Sequence, residues 1–124
     1  MIQHEHNEAV ALMRWWAYFS ASRKIDHRLL YSNANQGRGG GWQAARRGAY
    51  MKEEGLRAGI PDYTLAISRG GTHGLYIELK AKKGRVSKEQ SEMIELLGNQ
   101  GYQCSVTFGF EEAREVIEKY LGDK

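Results

Sequence analysis

The run Leu75-Tyr76-Ile77-Glu78-Leu79-Lys80-Ala81 leaves a folding chain few choices. Apolar and polar residues alternate along it, and alternate residues of a strand share a face. Leu75, Ile77, Leu79 and Ala81 therefore form one side, with Tyr76, Glu78 and Lys80 on the other. The first side requires a core, so this is a strand of a sheet covered on at least that face. A second alternating run, residues 62–68, precedes it across Arg-Gly-Gly-Thr-His-Gly. Such a connection permits a hairpin without fixing its register. In this run Asp62, Thr64 and Ala66 share a face opposite Tyr63, Leu65 and Ile67. Pairing of the two runs would bring Asp62 beside Glu78.

Helical spacing surrounds this pair. Ala9, Leu12, Met13, Trp16 and Phe19 predict a helix over residues 5–20, with Asn7 as a candidate cap. Residues 28–34 suit a short strand. Residues 35–43 hold four glycines in five positions and predict a mobile loop. No Gly-Lys-Ser/Thr follows, so it is not a P-loop. Residues 44–55 predict a helix of two or three turns. From Ser87 onward the signal is strong. Ser87 and Gln90 form a capping box, and Met93, Ile94 and Leu97 lie on one helical face. Residues 102–108 alternate as a strand. Phe110, Ala113, Val116, Ile117, Tyr120 and Leu121 give a last helix its inward side. The expected order is α-β-α-β-β-α-β-α, an α/β chain forming one domain over residues 1–124.

Charge is distributed unevenly. Residues 14–47 carry seven Lys/Arg against one acid, a balance of +6, while residues 86–124 carry four against eight, a balance of −4. A basic first half points to a polyanion as partner, against the plainer reading of a solvated surface. No apolar run approaches the roughly 18 residues of a membrane span. The opening residues lack a basic stretch followed by an apolar one, which predicts no secretion signal. The single cysteine, Cys104, excludes an internal disulfide and a multi-cysteine zinc site. A reducing cytoplasm is the expected compartment.

Glu78 and Lys80 have Cα atoms about 6.6 Å apart at ~3.3 Å per residue, so their side chains reach one small object. Two adjacent carboxylates repel unless a cation lies between them. A hard divalent ion, Mg²⁺ or Mn²⁺, takes oxygen ligands of this kind and acidifies water. A lysine beside it stabilises negative charge developing on a phosphate. Asp62, Glu78 and Lys80 are thus the parts of a metal-assisted phosphodiester hydrolase. The bland alternative is a solvated Glu78–Lys80 ion pair with Asp62 capping a turn after Pro61.

The Pro61-Asp62 pair, with Glu78-Leu79-Lys80 sixteen residues after Asp62, resembles the PD-(D/E)XK nuclease pattern. The wider stretch from about Gly48 to Val106 is similar to the virus-type replication-repair nuclease domain, VRR-NUC, in its stand-alone phage or prophage form. The resemblance implies a restriction-endonuclease-like fold, a central mixed β-sheet flanked by α-helices. It also implies Mg²⁺ or Mn²⁺ dependence, cleavage of branched or flap DNA, and homodimers that resolve four-way (Holliday) junctions in a bacterial host or phage-infected cell. By that resemblance Asp62 and Glu78 bind metal through their side chains and Leu79 through its carbonyl, and Lys80 is the catalytic lysine. Gln90 matches the family's glutamine one turn into the next helix, a role that coexists with the capping box. Glu8 matches the acid of the first helix, with Glu5 as a rival and plain helix surface as the alternative for both.

The remaining candidates are phosphate contacts. Arg38, Arg46, Arg47 and Lys52 flank the glycine-rich segment, and Lys82, Lys83 and Arg85 extend basic charge past the catalytic strand. Trp15, Trp16 and Tyr18 suit a core or an interface, and His4 and His6 fit poorly as ligands of an oxygen-preferring site. Three function classes stand together: a structure-specific endonuclease, a flap or nonspecific nuclease, and a non-catalytic DNA-binding module of a phage replication or packaging assembly. Retention of Asp62, Glu78 and Lys80 favours an enzyme.

Overall fold

The computed structural model describes residues 2–33 and 49–122. Helix α1 runs Ile2–Ser22, followed by a 3-10 turn, His27–Leu29, and strand β1, Leu30–Ser32. Residues 49–53 are helical, here α2. Then come β2 (Tyr63–Leu65), β3 (Leu75–Lys80), α3 (Lys88–Asn99), β4 (Gln103–Phe108) and α4 (Phe110–Tyr120). This is the expected order of elements. The boundaries differ where local chemistry intervenes. Neither Gly nor Pro interrupts residues 2–7, so α1 starts before Asn7, which lies inside the helix rather than at its cap. The Asp26 side chain accepts from Arg28 N–H and winds His27–Leu29 into a 3-10 turn, which shortens β1. The glycine-rich stretch 35–43 lies outside the described residues.

The four strands lie in the order β1-β2-β3-β4. The first two pairings are antiparallel, and β3 pairs with β4 in parallel across α3, which makes the sheet mixed. Tyr63 pairs with Ile77 and Leu65 with Leu75. Beyond that ladder, residues 66–68 face only 73 and 74 before an Arg69–Thr72 bridge closes the hairpin. This extra residue is a bulge, and it confines β2 to three residues where seven were expected. At the other end Pro61 has no N–H to donate, which stops the ladder at Tyr63.

The core lies on one side of the sheet. Leu75, Ile77 and Leu79 meet Leu12, Trp16 and Phe19 of α1 and Ala113, Ile117 and Tyr120 of α4. Trp16 donates its indole N–H to the His27 carbonyl at 2.8 Å, which satisfies its polar atom inside the core. Trp15 stacks on Phe19 with ring centroids 4.7 Å apart. Of the aromatic residues singled out in α1, Trp16 is thus core, Trp15 packs at its margin and Tyr18 is exposed. The large residues of α1 and α4 are mostly consumed by their own domain. Helix α3 covers the other side of the sheet lightly and contains no buried residue.

One glycine fixes how α3 approaches. Gly59 has φ +87, and a Cβ there would lie 2.4 Å from the Glu89 carbonyl oxygen in the first turn of α3. Both the left-handed backbone and the contact exclude a side chain. Gly59→Ala is expected to destabilise the protein by about 2 kcal/mol or more, from ~1–2 for the backbone plus the cost of displacing α3. Urea denaturation checks this, and an unchanged midpoint would refute it.

Candidate active site

The site grows out of the edge where β2 stops. Continuing the Tyr63–Ile77 register by one residue sets Asp62 opposite Glu78, as the hairpin reading expected. The Asp62 carboxylate then replaces the missing ladder bond: Leu79 N–H donates to its Oδ2 at 2.9 Å. On the β4 side, the Glu78 carbonyl accepts from Thr107 Oγ1 at 3.2 Å and the Lys80 carbonyl from Gly109 N–H at 3.1 Å. Carbonyls alternate along a strand, so that of Leu79 emerges on the β2 side, beside Asp62.

Glu78 and Lys80 share the face away from the core, and α3 supplies their partner. Gln90 donates from Nε2 to Glu78 Oε2 at 2.8 Å, and its Oε1 accepts from Lys80 Nζ at 2.8 Å. The same Oε1 accepts from Ser87 N–H at 2.9 Å, while Gln90 N–H donates to Ser87 Oγ at 3.1 Å. The capping box and the bridge to Glu78 and Lys80 are therefore made by one side chain at once. Lys80 Nζ also lies 3.2 Å from Glu78 Oε2.

Burial decides against the solvated ion pair. Glu78 is 4% exposed, far too little for an open strand surface. Among the described residues its Oε1 has no hydrogen-bond partner, a costly state for a buried carboxylate oxygen. Burial pushes the Glu78 pKa up to about 7, and the Asp62 charge adds to the rise, which the Lys80 ammonium partly offsets. An uncompensated buried acceptor, a second carboxylate and a strand carbonyl make an oxygen donor set that suits a hard divalent ion. Among the described residues no three His, Cys, Asp or Glu side chains cluster at one point. The fit therefore rests on two carboxylates and a carbonyl.

Glu8 approaches from the far side. Its Oε1 accepts from Phe110 N–H at 2.6 Å, which caps α4 where the N-cap residue, Gly109, has no side chain to do so. Together with His4, Lys82, Phe108 and Glu112, Glu8 and Lys80 line a cavity of about 590 Å³. Glu5 is exposed and does not line it. Lys52, Lys82, Lys83 and Arg85 are exposed, and Arg38, Arg46 and Arg47 lie outside the described residues.

Sequence reading missed Asn33. Its side-chain amide donates to the Pro61 carbonyl at 2.7 Å, and its N–H donates to the Asp62 carbonyl at 2.8 Å. Its partners are 28 or more residues away, so no local pattern signals the role.

The VRR-NUC domain family matches residues 4–110. A solved structure of a VRR_NUC domain protein superposes with a TM-score of 0.75 at 27% identity, covering 97% of this chain and 91% of that one. No curated protein matches the chain.

Proposed function

Because the chain belongs to the VRR-NUC domain family, whose members are nucleases of the PD-(D/E)XK type, we propose that it is a divalent-metal-dependent endodeoxyribonuclease acting on structured DNA. The observation that carries this reading is the buried Glu78 Oε1, unpartnered among the described residues, in the register position opposite Asp62. Asp62 and Glu78 would hold Mg²⁺ or Mn²⁺ through their carboxylates and Leu79 through its carbonyl, while Glu8, the further candidate named from the sequence, caps α4 and lines the neighbouring cavity with Lys80. Such an ion supplies charge neutralisation and Lewis acidity toward a phosphodiester.

The chain's own groups supply the rest. Lys80 is a fixed cation, 13% exposed at its side chain and held by Gln90, and it donates to the phosphate or to the attacking water. Gln90 keeps its amide oxygen toward Lys80 because Ser87 N–H claims the same oxygen. Lys52, Lys82, Lys83 and Arg85, with Arg38, Arg46 and Arg47, are the proposed contacts to the DNA backbone.

The preferred substrate of this reading is a four-way junction, cut by a homodimer. One domain presents one site, and resolving a junction takes two opposed cuts, which two-fold symmetry supplies. The core already accounts for most large residues of α1 and α4, so the dimer proposal rests on this requirement and not on a surplus of apolar surface. A phage or prophage setting in bacterial cytoplasm fits this reading. Among the described residues no helix is long and apolar enough to cross a membrane.

The test is cleavage of four-way junction, flap, single-stranded and linear duplex DNA, side by side, with and without Mg²⁺ or Mn²⁺. Paired, symmetry-related cuts in the junction are expected only with metal. Flap cutting or equal digestion of linear duplex would transfer the reading to a flap or nonspecific nuclease. Binding without any cleavage would leave a DNA-binding module.

A further inference from the structure

We propose that Asn33 is a positioning residue of this site, which fixes the Asp62 carboxylate by clamping the backbone on both sides of it. The proposal rests on the nuclease reading above. Asn33 is the first residue after β1, and its side chain is set between the Pro61-Asp62 turn and β2. The amide nitrogen donates to the Pro61 carbonyl at 2.7 Å, and the backbone N–H donates to the Asp62 carbonyl at 2.8 Å. These two carbonyls belong to the two peptide planes that flank the Asp62 Cα. Holding both planes holds φ and ψ of Asp62, and with them the direction of its Cβ. The carboxylate is then aimed at Leu79, whose N–H donates to Oδ2 at 2.9 Å.

Thr64 locks the clamp. Its hydroxyl donates to Asn33 Oδ1 at 3.1 Å, which forces the amide nitrogen toward Pro61 and prevents a flip. Thr64 is 8% exposed and Pro61 is fully buried, so water competes poorly for either group. Pro61 cannot donate to a ladder, and the pairing of β2 with β3 stops at Tyr63. Asn33 adds side-chain and main-chain bonds, from just past the end of β1, at the point where that pairing stops.

Partners that orient a ligating carboxylate typically affect metal affinity by about 10–100-fold. The experiment titrates the full chain with Mn²⁺ in the absence of DNA, following free Mn²⁺ by electron paramagnetic resonance, and records thermal unfolding in parallel. Asn33→Ala is expected to raise the Kd for Mn²⁺ by about 10–100-fold. Thr64→Val should shift it in the same direction by less, and Thr64→Ser should restore wild-type affinity. In cleavage assays kcat falls while KM for DNA stays unchanged. Mn²⁺ affinity of Asn33→Ala within twofold of wild type, whatever its melting temperature, would overturn the proposal. Should Asn33→Ala fail to fold, the Thr64 pair decides: equal affinities for the Val and Ser variants overturn it. A wild-type chain that binds no Mn²⁺ would remove the nuclease reading itself and this proposal with it.

Discussion

Lys80→Ala is expected to lower the DNA-cleavage rate by about 10²–10³-fold while Mn²⁺ binding is retained. Asp62→Asn and Glu78→Gln should lose at least as much and should lose the metal as well. The difference follows from position. Lys80 faces the site as a donor, held 2.8 Å from Gln90 Oε1, whereas Asp62 and Glu78 present the oxygens that a cation would take. All three variants should fold, since the core face of β3 is Leu75, Ile77 and Leu79 and is untouched. The measurement is single-turnover cleavage of a labelled junction, with circular dichroism as the folding control. Wild-type turnover by any of them, in a preparation free of contaminating nuclease, would end the assignment.

Metal-free stability should carry the signature of Glu78. Its folded pKa is raised to about 7 from an ordinary 4.5, by burial first and by Asp62 second. A carboxyl raised in this direction favours the folded state while protonated, so the contribution is fully present below pH about 4.5. It is lost as pH rises through 7 and then levels off. The shift corresponds to about 3 kcal/mol. Glu78→Gln removes the titration, so with EDTA present the variant should exceed wild type in stability at pH 8 and lose that advantage at pH 4. Chemical denaturation at the two pH values measures it, and an equal gap at both would show that Glu78 does not titrate in this range. Saturating Mn²⁺ should close most of the gap at pH 8 by stabilising only the wild type.

How much of this was legible in the sequence depends on the range of each interaction. The strict alternation of Leu75–Ala81 assigned the core face of β3, because period two admits one arrangement when only one side is apolar. Ser87 and Gln90 declared their capping box because its partners lie within one turn. The register that places Asp62 across from Glu78 was open, since a hairpin connection with a bulge in it fits more than one pairing. Burial of Glu78 was also not readable, because an E-x-K run looks the same on an exposed strand. Asn33 and the capping of α4 by Glu8 escaped entirely. Their partners lie 28 and 102 residues away, so nothing local marks them. The start of α1 was misplaced because Asn7 is a good cap by type and is overruled by the helix-compatible residues before it.

Helix α3 places an unusual demand on its own sequence. None of its residues is buried, so most of its twelve positions are surface positions, where a substitution typically changes stability by less than about 0.5 kcal/mol. Its tie to the site is concentrated in Ser87 and Gln90 at one end. The helix is therefore a largely exposed panel, resting on the sheet through the half-buried Met93, Ile94 and Leu97 and tied to the site at its first turn. Glu92, Glu95, Leu96 and Asn99 on its outer side are exposed and are free to be recoded for a label, a tether or altered surface charge. A designer could rewrite that surface without touching Gln90 or the Glu78–Lys80 pair it holds.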